Sequence, residues 1–363
     1  MKIGIDWQKL PEGRKRGPLG SLAFTKELGL EGLFFPTILD MSPVLDPGEL
    51  HDLRACADDL GLYLEGGLGK INPYCTAENP ELRAAGQGDI IKGFTLMIER
   101  AAAIGCHELW VSPGNFKPQF AGRLAVDRFR TDVDWQDQLA AMEKVLRKLA
   151  PVARAHGTHL NIETHDEITS FEILRLIEAV GEDVVGVVLD TANMLQRGEH
   201  PSRACARLAP YTRQTHIKDA FSGRAEGGID FQPRPCGQGI VPFADILPLV
   251  VAANPQINLT LEISQSCADK PKAKAPRQCI QIDDPLWIAG HPDMDAAERA
   301  AYLALMDAVD ARLAAGTLEP WDAYERRVYD YPDYRTPSFG FEAAKAYIDT
   351  SAQHIRSILS QMT

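Results

Sequence analysis

Four short apolar runs in this sequence each close on a side chain that binds hard cations: Glu163 in "LNIETH", Asp190 in "VVLDTAN", His216 in "QTHIKD" and Glu262 in "LTLEIS". If the runs are β-strands, successive side chains alternate between faces. Ile162, Leu189, Ile217, Leu261 and Ile263 then point into an apolar layer, and the four polar groups point the other way. Three carboxylates converging in one interior repel each other unless a cation compensates. Oxygen donors with one imidazole suit a divalent metal, Mn2+ first and then Mg2+, Co2+ or Zn2+. The competing reading is an ion-pair network with Lys218 and nearby arginines.

His165 lies two residues after Glu163, on the same strand face. A neutral imidazole beside a cation serves as a general base near neutral pH; the plainer role is a hydrogen bond to a ligand hydroxyl or a carboxylate. Lys218, two residues after His216, faces inward by the same parity. It is placed to neutralise an enolate, to hold a substrate hydroxyl, or to form a structural ion pair. Asn193, Glu65, Lys70 and His107 stand near strand ends as further pocket candidates, and Trp7 and Trp110 fit either a pocket wall or the core.

Such a convergence needs a scaffold that delivers strand ends to one place. Eight β-type runs, "KIGIDW", "GLEGLFF", "LGLYLEGG", "CHELWVS", "HLNIETH", "VGVVLDTAN", "RQTHIKD" and "NLTLEIS", alternate with helical runs whose apolar residues recur at spacings of three and four. In "SFEILRLIEAVG" Thr169 or Ser170 caps the start and Gly181 stops the end. Alternating strand and helix implies parallel strands with right-handed crossovers. Eight units close an α/β (β/α)8 TIM barrel of about 250 residues.

The eighth run ends near Ser264, and a final helix, "GFEAAKAYIDTSAQHIRSIL", starts at about Gly340. The expected division is therefore strands one to eight in 1–264, a long helical insertion at 265–339 over the C-terminal face, and a closing barrel helix at 340–363. The insertion carries its own helix, "MDAAERAAYLALMDAVDARLAAG", and serves as a lid or as an interface.

Bulk properties narrow the partners. A formal net charge of −12 opposes a nucleic-acid partner, whose phosphates need concentrated Lys and Arg, and favours a small ligand. Seven cysteines are scattered with no CxxC pair, which points to reduced thiols and a cytoplasmic location. "MKIGIDWQKL" reads as a strand and not a signal peptide, and no run reaches the roughly 18 apolar residues of a membrane helix.

"IETH", "LDTAN", "THIKD" and "LEIS" resemble, residue by residue, the motifs of the xylose-isomerase-like TIM barrels, a family that includes sugar-phosphate isomerases, ketose 3-epimerases, inosose dehydratases and endonuclease IV. The resemblance covers roughly residues 1–264 and the terminal helix. It implies a metal quartet at Glu163, Asp190, His216 and Glu262. It also implies an isomerase or epimerase that takes a proton alpha to the carbonyl of a carbohydrate or polyol through a metal-stabilised enediolate. Glu163 and Glu262 move the proton in the epimerase pattern, with His165 as the other choice. The family's glycine-containing turn is matched by "CGQGIVPFADIL", with Gly237 and Gly239 ahead of a helix near Pro242.

Two positions differ from the epimerase pattern. Asn193 stands where those enzymes have a His three residues after the metal-binding Asp, and Ser222 stands at a substrate-binding Arg position, with Arg224 nearby. The E-x-H at strand five and the long C-terminal region are similar to C-glycoside deglycosidase large subunits. That likeness implies the alternative of a lyase on 3-keto glycosides, working with a smaller subunit where the first reading expects a homo-oligomer. An alternative of another class is a catalytically silent sugar-binding barrel. Endonuclease IV is set aside, because its additional metal-binding histidines are missing and the acidic charge opposes DNA.

Overall fold

The computed structural model describes residues 1–74, 80–114, 128, 133–263, 278–328 and 340–362. The eight β-type runs become the strands of one closed parallel barrel. The strands in chain order are β1 Ile3–Asp6, β2 Gly32–Phe35, β3 Tyr63–Lys70, β4 Glu108–Ser112, β5 His159–Glu163, β6 Val185–Asp190 and β7 Thr212–Ile217. Next come a hairpin, β8 Asp219–Ala225 and β9 Gly228–Arg234, then β10 Leu259–Leu261 and the short β11 Gln278–Ile280. Strand β10 closes the ring between β7 and β1.

Local signals set the crossover helices. Helices α1 Gly13–Glu27, α2 Ile38–Met41 and α3 Pro47–Leu60 follow the first two strands. Asp46 caps α3 through Glu49 N–H, Pro47 fills its first turn and left-handed Gly61 ends it. Helices α4 Pro80–Ala85 and α5 Ile90–Ala103 follow β3, and α6 Trp135–His156 precedes β5. Helix α7 Ser170–Val180 starts with a reciprocal capping box between Thr169 and Glu172. The series continues with α8 Pro201–Leu208 and α9 Phe243–Ala253. Outward strand residues such as Ile5, Leu33, Ile162, Leu189 and Leu261 are fully buried beneath these helices, each contributing roughly 1.5–3 kcal/mol of burial.

The barrel interior is packed as closely. Tyr63 occupies its lower part because Gly4 and Gly32 have no Cβ: one added there would lie 2.2 Å and 2.1 Å from the Tyr63 ring system. Phe34, Trp110 and Val188 form an apolar layer above it.

The β8–β9 hairpin was not anticipated by a reading that passed from β7 directly to the glycine turn. The signal lay in "AEGGID", where Gly227 and Gly228 supply the positive φ values of 91° and 141° that the tight turn needs. The glycine turn itself wraps a buried carboxylate: Asp219 accepts the N–H groups of Gly237, Gly239 and Val241. A Cβ on Gly239 would approach Asp219 Oδ1 to 2.2 Å.

Beyond β10 lie α10 Pro285–Ala289, α11 Ala296–Ala314, α12 Trp321–Val328 and the long α13 Phe341–Met362. Strand β11 extends the hairpin sheet by pairing antiparallel with β9. Tyr302 of α11 donates a hydrogen bond to the Leu195 carbonyl, and Glu298 takes ion pairs from Arg203 and Arg207. Ser264, and residues 265–277 and 329–339 of the expected insertion, lie outside the described residues. Among the described residues, no helix is long and apolar enough to cross a membrane.

Candidate metal centre

Strand parity brings the quartet together at the carboxyl-terminal mouth of the barrel. Glu163, Asp190 and His216 are 2%, 0% and 3% exposed, and one ligand atom from each of them and from Glu262 lies within 4.8 Å of the others. A register shift in β7 opposite Val187 and Val188 makes the sheet skip Arg213. That bulge restores an inward row of Gln214 and His216 on β7, continued by Lys218 just beyond the strand, and bulges commonly re-aim side chains beside sites. Asp190 pairs in register with His216.

The cluster is a lattice of opposite charges. His216 Nδ1 lies 2.9 Å from Glu163 Oε1 and 3.4 Å from Glu262 Oε2. Lys218 Nζ bridges Asp190 Oδ2 at 2.9 Å and Glu262 Oε2 at 3.1 Å, and Lys9 Nζ reaches Glu262 Oε1 at 3.2 Å. Trp110 Nε1 donates to Glu163 Oε2 at 3.0 Å. Asp190 Oδ1 accepts the N–H groups of Ala192 and Asn193.

Burial alone would neutralise these acids. It is outweighed at Glu262, where Lys218, Lys9 and His216 hold the carboxyl well below the usual range. At Glu163, too, burial raises the pKa but His165 and His216 bring it below its ordinary value. Asp190 is different: burial, with Glu262 and Glu163 adding repulsion, pushes it up to about 7 despite Lys218. Burial also opposes a charged His216, yet Glu163 and Glu262 lift it to about 9.

The donor set fits a divalent cation. Three hard carboxylates and an imidazole converge with ligand atoms within 4.8 Å of one another, and His216 Nε2 is buried with no hydrogen-bond partner among the described residues.

The cluster forms one end of a cavity of about 520 Å³. Glu163, His165, His216, Glu262, Lys9 and Lys70 line the ionic end, and Phe34, Leu68, Ile71 and Phe94 line an apolar wall. His165 Nδ1 lies 2.5 Å from Glu167 Oε2. Burial works against its charge, but Glu167, Asp166 and Glu163 raise the His165 pKa well above that of an ordinary imidazole.

The model of the xylose isomerase-like TIM barrel family matches residues 22–283. The chain belongs to that family. Among curated relatives, it is 28% identical over 150 residues to the uncharacterized protein YihM of Escherichia coli K12, a match spanning 41% of this chain and only 42% of YihM. It is 25% identical over 235 residues to 3-oxo-isoapionate decarboxylase of Pectobacterium atrosepticum, covering 63% of this chain and 72% of that protein. Among solved structures, D-psicose 3-epimerase of Clostridium cellulolyticum H10 superposes with a TM-score of 0.57 at 15% identity over 98% of this chain and 99% of that one. The 3-keto-D-glucoside 4-epimerase YcjR of E. coli gives 0.52 at 19% identity over 84% and 98%. These structures share the fold.

Within this xylose isomerase-like barrel, other expected pocket residues are placed differently. Lys218 is at the site, but as the bridge between Asp190 and Glu262. Asn193 is buried behind it, accepting from Lys218 Nζ at 3.2 Å, and does not line the cavity. Arg224 sits on the far hairpin, half-exposed and paired with Asp307 and Asp310 of α11, so its reach is spent away from the cavity. His107 precedes β4 and is exposed at the opposite mouth, 3.2 Å from the His156 carbonyl. In a parallel barrel every strand begins at that end. Glu65 lies inside the barrel below the cavity, accepting from Asn258 Nδ2 at 2.7 Å.

Lys9, Trp110 and Glu167 are the site residues that sequence reasoning missed or gave to the core. Lys9 lies three residues beyond the β1 terminus, where a 3-10 turn, Trp7–Lys9, capped by Asp6 folds it back over the mouth. A lysine between Trp7 and Leu10 was the available signal. Trp7 itself packs on Phe35 in the core and donates to Ser21 Oγ.

Proposed function

We propose that the chain is a cytoplasmic, divalent-metal-dependent isomerase or epimerase that takes a proton from carbon alpha to a carbonyl of a small carbohydrate or polyol. The observation that carries this is the convergence of the quartet, three of whose members, Glu163, His216 and Glu262, line the same cavity as His165. Glu163, Asp190, His216 and Glu262 would hold the ion, Mn2+ being the first choice for this oxygen-rich set. A bound divalent cation supplies Lewis-acid stabilisation for the oxyanion that develops as the carbonyl's alpha proton leaves.

The chain's own residues do the rest. Lys218 and Lys9 balance the carboxylates and keep Glu262 ionised. Trp110 fixes the orientation of Glu163 through its indole N–H. His165, its Nδ1 held by Glu167, takes and returns the proton in its neutral form, which a divalent ion in the adjacent quartet would favour by repulsion against the pull of Glu167, Asp166 and Glu163. Lys70 at the ionic end anchors substrate oxygens, Phe34 packs its ring against His216, and Phe94 with Leu68 and Ile71 excludes water from the apolar wall. The insertion would close the substrate chamber or receive a second chain.

A lyase outcome is the second reading. The similarity to 3-oxo-isoapionate decarboxylase favours it, because losing a group next to a carbonyl develops the same oxyanion as losing a proton.

The test measures metal content after purification, then deuterium uptake from D2O by D-psicose, D-fructose, L-ribulose and 3-keto-D-glucosides. Retained or restorable manganese with label at the carbon beside the carbonyl of an uncleaved sugar supports the isomerase or epimerase, and cleavage of the substrate, with or without label in the products, marks the lyase. A folded protein that binds no added manganese and labels or cleaves none of these compounds overturns both readings in favour of a silent binding barrel.

A further inference from the structure

Behind His165 lies a buried arrangement that sugar and metal do not need to touch. Glu167 is 2% exposed and its carboxylate faces His165 Nδ1. An ionised carboxylate only accepts, so the Nδ1 proton must sit between them. Holding such a carboxylate out of water costs several kcal/mol unless the surroundings compensate. Two buried arginines hold this loop, Arg197 through its charge and Arg128 through the backbone. Arg128 donates to the Glu167 backbone carbonyl at 3.1 Å and to Glu172 Oε2 at 2.8 Å, and its other nitrogen donates to the Gly290 carbonyl. Arg197, wholly buried, bears its charge on Glu167 and Asp166.

Arg197 is in turn gripped by the insertion. Its Nη1 lies 3.3 Å from His291 Nε2, and His291 Nδ1 lies 2.6 Å from the Trp287 carbonyl. A carbonyl cannot donate, so His291 carries its proton on Nδ1 and offers Nε2 as an acceptor to the guanidinium. The Trp287 ring stacks on the His291 ring at 3.8 Å and 13°. It also fills the space above Gly198, where a Cβ would come within 3.0 Å of the indole.

We infer that Glu167 is the positioning residue of His165, and that the Trp287–His291 corner of the insertion, acting through Arg197 and Arg128, sets where Glu167 stands. The inference rests on the reading of His165 as the base. It gives the insertion a part in the chemistry distinct from covering the substrate: the strand-five loop is held from behind by a segment more than a hundred residues later in the chain.

The experiment uses the full chain with 15N-labelled histidine, with and without manganese, and reads the His165 ring nitrogens by NMR alongside turnover of whichever keto sugar exchanges its alpha proton. In Glu167→Ala the ring proton leaves Nδ1 and kcat falls by roughly 10- to 100-fold, with KM and manganese affinity within about twofold. Glu167→Gln, whose amide oxygen still accepts from Nδ1, keeps the tautomer and recovers part of kcat. His291→Ala moves the His165 signals in the same direction by a smaller amount. His165→Ala combined with Glu167→Ala is no slower than His165→Ala alone, as expected for residues that act as one unit.

Unchanged His165 ring signals in Glu167→Ala, or losses that multiply in the double variant, overturn the inference. So do unmoved His165 signals in His291→Ala. If His165→Ala itself turns over normally, the base assignment falls instead, and the NMR readout still decides whether Glu167 sets the ring.

Discussion

The barrel holds two sets of buried polar groups, one above the other, and they satisfy themselves in opposite ways. In the lower set Glu65 meets the amide of Asn258, Tyr63 meets Thr260, and Asn161 donates to Glu108 and Gln214. No lysine or arginine is paired with these groups among the described residues, the one basic ring paired with them being that of His159, 3.0 Å from Glu108 Oε1, and burial pushes Glu65 up to about 7. The upper set brings Lys9, Lys218 and His216 against Glu163, Asp190 and Glu262. Both sets fill the same interior, yet one is built to carry little charge and the other to keep charge buried. A buried ion cluster of that kind rarely repays its desolvation as stability. It stands at the cavity, where the proposed chemistry would use its field.

The comparison breaks most sharply at Lys218. Lys218→Met leaves Asp190 and Glu262 without their shared cation, and the metal-free protein should lose about 3–5 kcal/mol. Scanning calorimetry checks this, and added manganese should recover more of the melting temperature in the variant than in the wild type. An equal shift in both would make Lys218 irrelevant to the charge balance.

Next in size is Glu163→Gln. It removes one ionic ligand while keeping shape, and manganese affinity should drop by on the order of 100-fold, measured by isothermal titration. The same substitution below, Glu65→Gln, should leave that affinity nearly untouched.

Glu65 instead sharpens the contrast through pH. Its folded pKa of about 7 lies above the ordinary 4.5, so the folded state holds a proton that the unfolded state has released. Its contribution is complete below about 4.5 and is lost as pH rises toward about 7. Stability of Glu65→Gln relative to wild type should therefore grow across that window, by about 3 kcal/mol; urea denaturation at several pH values measures it. The smallest effect belongs to Tyr63→Phe. Losing the hydroxyl contact with Thr260 should cost about 1 kcal/mol, with no change in manganese binding.

Much of the barrel was legible because its signals are local. The alternation in "LNIETH" and "VVLDTAN" assigns Ile162 and Leu189 to one face and Glu163 and Asp190 to the other without any knowledge of the partner strands. The same parity placed His216, Lys218 and Glu262. It failed where a side chain's destination depends on something other than strand face. Arg224 has the right neighbourhood in sequence but sits on a hairpin that carries it to Asp307 and Asp310. His107 is next to a strand, at the wrong end of it. Lys9 reaches the site from a turn whose direction no periodicity encodes.

The sequence by itself determined the β/α alternation, the eight strands and the inward row of hard ligands, since each follows from residue spacing of two or of three and four. Only the tertiary structure decided which cations meet those ligands, that Trp110 steadies Glu163, and that Arg197 and His291 stand behind the loop of His165. Those contacts join residues 53 and 94 positions apart. Their existence depends on barrel closure and on how the insertion packs, which a chain fixes only when all its elements are folded together.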